Sequence, residues 1–244
     1  MKPWPYPLWI AHRGAGKLAP ENTLAAFRVG AQHGYRAFEC DVKLSADGVP
    51  FLLHDATLDR TTAGQGKAGD KTWSELSRLD AGGWHSRAYA GEPMPTLEAV
   101  SSYLQRNGFL LDLEIKPTPG LELQTGQVVG QEVMRLWADA PIPPLFTSFR
   151  PEALQGARET APHIPRGLLL DTLWDGWFNV AQALECAAVV THYNLMNAEL
   201  LSKLHAAGLR GLVYTVNDPS VAQWLIGLGI DGIVTDAVDK FPPA

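Results

Sequence analysis

Short, uniformly apolar runs alternate along this chain with longer amphipathic segments. Most of the runs are too short and too apolar throughout to be half-exposed antiparallel strands, and they are typical of strands buried on both faces. They predict strands at residues 8–12, 37–43, 50–54, 110–115, 145–149, 166–170, 187–191, 211–216 and 230–234.

Helical patterns occupy many of the intervals between these strands. The first helix begins at Asn22 or Thr23, residue types that favour the N-cap, and Gly34 is expected just beyond its end. Two later helices open with Pro151 and Pro219, since proline is favoured at the first helical position. The patterns predict helices at 23–33, 96–107, 151–160, 198–207 and 219–228.

Strand and helix repeated about eight times in roughly 250 residues is typical of an α/β (β/α)8 TIM barrel. A doubly wound open sheet is the main alternative. We expect a single catalytic domain over 1–244, because no linker or low-complexity tract divides the chain. Segment 56–95 fits no helix of the repeat and is predicted to be an insertion after the second strand region that sits over the barrel mouth as a lid.

Charge and cysteine content narrow the function classes. The formal net charge of −6 argues against binding to a phosphate backbone, so we expect no nucleic-acid partner. Residues 1–9 lack the pattern of a signal peptide, and no apolar stretch is long enough for a membrane span. Cys40 and Cys186 lie in apolar runs without a CxxC partner, which indicates two reduced thiols in a cytoplasmic protein without a membrane anchor.

The chemistry of a TIM barrel collects at the carboxyl ends of its strands. The first strand ends in His12, Arg13 and a glycine-containing turn. In the second strand, Glu39 and Asp41 alternate with Cys40, so both carboxylates face the barrel interior.

The strand at 110–115 also alternates, which places Asp112, Glu114 and Lys116 on one face. Converging carboxylates need a proton or a cation, and a hard ion such as Mg²⁺ or Ca²⁺ suits Glu39, Asp41 and Glu114. The alternative is that these acids only form ion pairs with cationic side chains, here Arg13 and Lys116.

Two histidines end apolar strands beside a second polar residue, His12 and His54, and two imidazoles can serve as acid and base near neutral pH. His192 also ends a strand and is left without an assigned role. Arg13 and Lys116, two cations beside a metal site, suit a phosphoryl group. The other histidines are interpreted as structural or exposed: His33, His85, His163 and His205.

Nearly the whole chain closely resembles, in order, the glycerophosphodiester phosphodiesterases of the bacterial, cytosolic type. The motifs that carry the resemblance are His12-Arg13-Gly14, Pro20-Glu21-Asn22-Thr23, Glu39-Cys40-Asp41-Val42, His54-Asp55, Asp59-Arg60-Thr61-Thr62, Leu113-Glu114-Ile115-Lys116, Ser148-Phe149, Thr215-Val216-Asn217 and Asp231-Gly232-Ile233-Val234-Thr235-Asp236.

This resemblance implies a TIM barrel that hydrolyses glycerophosphodiesters to glycerol 3-phosphate and an alcohol. It further implies an acid–base pair, metal ligands and phosphate contacts, together with Phe149 and Tyr214 against the substrate; Tyr214 stands where the family commonly has tryptophan. The implied acid–base pair is His12 and His54. The implied metal ligands are Glu39, Asp41 and Glu114, and the implied phosphate contacts are Arg13 and Lys116.

Two rivals are a lysophospholipase D-like lipid phosphodiesterase and a catalytically silent ligand-binding barrel. The first predicts an apolar lid facing a membrane, and the second predicts the loss of one of the implied histidines or carboxylates. The head group, the choice of Mg²⁺ or Ca²⁺, the direction of proton transfer, the route through water or a cyclic phosphate, and the oligomeric state stay open.

Overall fold

Parallel strands close into a barrel in this computed structural model, which describes residues 4–241 and 243. Within those residues the barrel has eight strands. It is closed because its first strand pairs with its second strand on one side and with its last strand on the other. The closure excludes the open doubly wound sheet and confirms the TIM-barrel prediction. The barrel strands are β1 (Trp9–Ala11), β2 (Ala37–Leu44), β4 (Leu110–Ile115), β5 (Leu145–Ser148), β6 (Arg166–Leu170), β7 (Ala188–His192), β8 (Arg210–Tyr214) and β9 (Gly232–Thr235).

Helices follow most of the strands and cover the outside of the barrel, except the short second helix, which lies in segment 56–95. They are α1 (Leu24–Gln32), α2 (Trp73–Leu76), α3 (Leu97–Arg106), α4 (Glu122–Leu136), α5 (Pro151–Thr160), α6 (Trp177–Ala183), α7 (Ala198–Ala206) and α8 (Pro219–Leu228). Thr23 is the N-cap of α1, and its side chain accepts a hydrogen bond from the backbone of Ala26. Gly34 follows that helix with φ of +92°, as its position predicted.

Helices α4 and α6 are absent from the sequence prediction. The N-cap position of α4 is Leu121, which supplies no capping side chain, so the usual start signal is missing. Gly126 and Gly130 also weaken its helical pattern, yet both let α4 approach α5 closely. Tertiary packing therefore forms this helix where local preference is poor.

Alternation along the strands separates two apolar regions. Inward-facing side chains such as Ile10, Leu145 and Val234 fill the lower part of the barrel, with Tyr6 beneath them. Outward-facing side chains such as Cys40 pack between the strands and the helices. The apolar floor leaves the inward positions nearest the carboxyl ends of the strands to polar side chains, which is where the site forms.

Segment 56–95 follows β3 (Pro50–Leu52), a short strand that pairs antiparallel with β2. Apolar side chains of the segment, among them Leu58, Leu76 and Met94, form a separate buried cluster with Phe51. Of the described residues that line the two adjoining cavities at the barrel mouth, Ala56 is the only one from this segment. The apolar side chains of the segment therefore pack into a cluster of their own, and its position as a lid over the mouth stays a prediction.

The part of the chain that the structure describes contains no helix long and apolar enough to span a bilayer. Cys40 and Cys186 are both free thiols, and both are buried.

Candidate active site

The first polar turn of the site is a short 3-10 turn, His12–Gly14, at the end of β1. Arg13 has φ of 49° and Gly14 has φ of +98°, both in the left-handed region. A Cβ atom added to Gly14 would lie 2.8 Å from the Cβ of Ala26. The turn needs glycine here because α1 packs directly against it, and this packing holds His12 at the rim.

A carboxylate orients the imidazole of His12. Its Nδ1 lies 2.6 Å from Oδ1 of Asp236, which directly follows β9. The amide of Asn217 donates to the other oxygen of Asp236 at 3.0 Å. Burial by itself would raise the pKa of Asp236, but the hydrogen bond and charge of His12 lower it to about 2. An ionised carboxylate only accepts, so Nδ1 of His12 carries a proton and Nε2 is left for the cavity.

His54 has a similar arrangement. Its Nδ1 lies 2.7 Å from Oδ1 of the neighbouring Asp55. Burial lowers the pKa of His54, and although Asp41 opposes this shift, the positive charges of Arg13 and Lys116 add to it. The imidazole of His54 is therefore mostly neutral at pH 7.

Three carboxylates converge between the two histidines. Glu39, Asp41 and Glu114 each place an oxygen within 4.8 Å of the others. Strand register brings them together, since Asp41 on β2 pairs with Glu114 on β4. Glu39 Oε1 and Asp41 Oδ1 are buried without a hydrogen-bond partner among the described residues. Such oxygens are costly unless a cation or proton meets them, and the cluster could hold a metal ion.

The charge state of the three carboxylates also indicates that the cluster needs a cation or protons. Burial, reinforced by Asp41, raises the pKa of Glu39 well above its usual value and that of Glu114 to about 8. Burial acts in the same direction on Asp41, but Arg13 and Lys116 overcome it and hold the pKa of that carboxyl at about 2. Without a cation, the cluster thus binds protons at neutral pH.

Two cations border the carboxylates. Arg13 places Nε 3.3 Å from Oδ2 of Asp41, and Lys116 places Nζ 3.1 Å from Oε1 of Glu114. The alternative of simple ion pairing is therefore realised in part. Lys116 Nζ also lies 3.8 Å from Oδ1 of Asp41, but Oε1 of Glu39 has neither a hydrogen bond nor an ion pair among the described residues.

The polar side chains of the site line a cavity of about 210 Å³. They are His12, His54, Arg13, Glu39, Glu114 and Lys116. Phe149 and Tyr214 form one wall, with ring centroids 5.7 Å apart in an edge-to-face arrangement. A second cavity of about 540 Å³ shares His54, Glu114, Lys116 and Phe149 and continues outward. Asp41 is fully buried and is not among the described residues that line either cavity.

His192 is not among the described residues that line either cavity. Its ring stacks on Tyr193 at 4.6 Å and meets the edge of Tyr214 at 5.9 Å. His205 is structural, since its Nε2 lies 2.7 Å from Oδ2 of Asp231 at the opposite end of the barrel.

Several polar residues with a place in the site had no role in the sequence prediction. Asp236 could have been found by similar reasoning to that which singled out His12, because it lies two residues beyond the predicted strand 230–234. Asp112 is buried at the cavity floor, where Thr147 donates a hydrogen bond to it at 2.7 Å. Glu21 and Arg60 lie outside the strands, and no local pattern connects them to the site.

Comparison with known proteins agrees with this architecture. The sequence profile of the glycerophosphoryl diester phosphodiesterase family matches residues 12–240. The Bacillus subtilis protein YhdW is 36% identical over 94% of each chain. A glycerophosphodiester phosphodiesterase of Caldanaerobacter subterraneus is 34% identical over 94% of this chain and 93% of its own.

A solved structure is also similar. It is an Oleispira antarctica phosphodiesterase in complex with the product sn-glycerol-3-phosphate, 36% identical, with a TM-score of 0.89 over 96% of this chain and 94% of that one. Fold and relatives together define a phosphoric diester hydrolase built on a TIM barrel. Within that class, the chain belongs to the glycerophosphoryl diester phosphodiesterase family.

Proposed function

We propose that this enzyme hydrolyses glycerophosphodiesters, such as glycerophosphocholine or glycerophosphoethanolamine, to sn-glycerol 3-phosphate and an alcohol, with one bound Mg²⁺ or Ca²⁺. The observation that carries the proposal is the shared 210 Å³ cavity, onto which two carboxylate-held imidazoles and an acidic cluster open. The product bound to the Oleispira antarctica relative supports the same substrate class.

Glu39, Asp41 and Glu114 would hold the cation. The Glu39 and Asp41 oxygens that lack a hydrogen bond among the described residues fit that role, as does the all-carboxylate donor set. When bound, a divalent cation supplies positive charge that stabilises a phosphoryl group. It would also remove the need for protons on Glu39 and Glu114.

Arg13 and Lys116 are suited to bind the phosphoryl oxygens. Both line the cavity, and both reach it from the same side as the carboxylates. A preorganised cation stabilises charge that develops in the transition state without further reorganisation. Phe149 and Tyr214 would enclose the carbon skeleton of the substrate.

His54 is suited to be the general base, because the neutral imidazole that its lowered pKa maintains can accept a proton. It would take the proton from the attacking oxygen as the new P–O bond forms. His12, with protons on both ring nitrogens at the start of the step, would give its Nε2 proton to the alcohol oxygen as the old P–O bond breaks. Asp55 and Asp236 keep Nδ1 of each ring protonated, so that Nε2 does the exchange.

The leaving alcohol would occupy the 540 Å³ cavity that continues outward from His54. We also propose a single catalytic domain with segment 56–95 as an insertion. The apolar side chains of the segment are largely buried in its own cluster, which does not favour the membrane-facing lid of a lipid phosphodiesterase. A cytoplasmic location is consistent with the free, buried cysteines and stays a prediction.

A substrate panel tests this function. We expect ³¹P NMR to show conversion of glycerophosphocholine and glycerophosphoethanolamine to glycerol 3-phosphate with Mg²⁺ or Ca²⁺, and none after EDTA. A transient cyclic phosphate signal would assign attack to the substrate's own hydroxyl. Full turnover in EDTA would overturn the metal assignment, and absence of glycerol 3-phosphate from every diester would overturn the function.

A further inference from the structure

Arg60 lies in segment 56–95, outside the barrel, and its side chain is 45% exposed. Its guanidinium nevertheless makes four short hydrogen bonds to two carboxylates. Nε and Nη2 donate to Asp55 at 2.7 and 2.9 Å, and Nη1 and Nη2 donate to Glu21 at 2.7 and 2.8 Å. One planar cation therefore holds two acids in two bidentate pairs.

Each of these carboxylates also holds a residue of the site. Asp55 Oδ1 lies 2.7 Å from Nδ1 of His54, and Glu21 Oε1 accepts from Nη1 of Arg13 at 2.8 Å. The hydrogen bonds from Arg60 help to lower the pKa of both acids, so Asp55 and Glu21 stay ionised acceptors at neutral pH. An unbroken chain of contacts thus runs from His54 through Arg60 to Arg13.

We propose that Arg60 is a positioning residue that orients His54 through Asp55 and Arg13 through Glu21. Lysine could not replace it fully, because a point charge cannot form both bidentate pairs at once. The proposal rests on the proposed function for the roles of His54 and Arg13, but not for the contacts themselves.

A purely structural role for Arg60 is the competing explanation, since it ties segment 56–95 to the barrel. The segment has other attachments. Glu92 accepts from the backbone of Ala25 at 3.0 Å, and His85 Nε2 lies 3.0 Å from the carbonyl oxygen of Lys17. With these ties and the buried cluster intact, we expect the Arg60→Gln variant to fold.

The kinetic test separates the two arms of the network. We expect Asp55→Asn to lower kcat with little change in KM, and Glu21→Gln to raise KM with little change in kcat. Arg60→Gln should both lower kcat and raise KM. Each of these changes should be about 10- to 100-fold. Arg60→Lys should recover part of the loss. In the Asp55→Asn, Glu21→Gln background, Arg60→Gln should cost less than about twofold more, because its partners are already gone.

The matched control is Arg135→Gln. Arg135 also bridges two carboxylates, Glu98 and Glu132, but on the exposed face of α4, so its kcat and KM should equal those of the unmodified enzyme. Thermal melts of every variant show whether it is folded. A folded Arg60→Gln enzyme with kcat and KM within about twofold of the unmodified enzyme would overturn the proposal, as would an undiminished effect in the double-variant background.

Histidine ¹H–¹⁵N NMR provides a readout that needs no turnover. We expect the His54 ring to carry its proton on Nδ1 in the unmodified enzyme, and Arg60→Gln to give a mixture of tautomers. An unchanged His54 tautomer would contradict the proposal. If the enzyme cleaved no glycerophosphodiester but the tautomer still shifted, the proposed function would fail while the positioning role of Arg60 stood.

Discussion

Glu114→Gln is predicted to stabilise the metal-free enzyme and to remove most of its thermal response to divalent cations. In the folded chain, burial raises the pKa of Glu114 from 4.5 to about 8. A carboxyl group whose pKa is raised by folding favours the folded state at low pH. Its contribution is lost as pH rises from about 4.5 to about 8. Raising this pKa from 4.5 to about 8 corresponds to at most about 5 kcal/mol at pH 8 or above.

Glutamine cannot ionise and so avoids this cost, although it also gives up the ion pair with Lys116. We therefore expect the variant to be stabilised by roughly half of the maximum, about 2–3 kcal/mol at pH 8. For a chain of 244 residues, this raises the melting temperature of the EDTA-treated variant by about 5–10 °C above the unmodified enzyme.

A divalent cation should bring the melting temperatures of the two proteins close together. At 100 times its Kd, a ligand stabilises the folded state by about 2.7 kcal/mol, which raises the melting temperature of the unmodified enzyme by about 5–10 °C. Glu114→Gln should gain less than about 2 °C, because one of three ligands is lost. Glu98→Gln, at an exposed position on α3, is the control and should respond as the unmodified enzyme does.

Differential scanning calorimetry at pH 8, in EDTA and then in excess Mg²⁺ or Ca²⁺, measures both effects. If Glu114→Gln melts no higher than the unmodified enzyme in EDTA, the predicted cost of ionising the buried Glu114 is wrong. If its cation-induced shift equals that of the unmodified enzyme, Glu114 is not a ligand.

Three other perturbations follow from the same geometry. Asp236→Asn should lower kcat by about 100-fold or more, because an amide nitrogen can donate to Nδ1 of His12 and so favour the unreactive tautomer. It should also remove about 2 kcal/mol of stability that the unmodified enzyme has above pH 4 and loses as pH falls toward 2, measured by urea unfolding across that range. The profile of kcat/KM against pH should be bell-shaped, with an acid limb centred below 6.5, since burial lowers the pKa of His54; a flat profile would contradict paired acid and base. Gly14→Ala should cost about 1–3 kcal/mol in urea unfolding, because its Cβ would crowd Ala26 at a positive φ, and an unchanged midpoint would show that the turn can yield.

Local sequence patterns were sufficient to predict much of the fold and the inward-facing positions of the carboxylates. Alternation along β2 and β4 predicts that Glu39, Asp41 and Glu114 face inward, and closure of the barrel brings the two strands side by side. The strand pattern likewise predicts His12 and His54 at the rim. These inferences need only the periodicity of a strand and the rule that barrel chemistry lies at one end.

Long-range partners required the folded chain. The contact between His12 and Asp236 joins positions 224 residues apart, and the pairing of Glu21 with Arg60 crosses between two loops. Helix α4 escaped prediction because Leu121 is a poor cap, and its packing against α5 is not a local property. The separate apolar cluster of segment 56–95 with Phe51 is likewise a tertiary feature that composition alone does not indicate.

The central claim is that His12 and His54 act together on a glycerophosphodiester. The most direct measurement is the rate of glycerol 3-phosphate release from glycerophosphocholine by His12→Ala, His54→Ala and the double variant, each shown to be folded and to bind the cation. We predict that each single variant loses about 10²- to 10⁴-fold in kcat, and that the double variant loses little more than the worse single one, because the residues act as a unit. Near-normal turnover by either single variant would contradict the account.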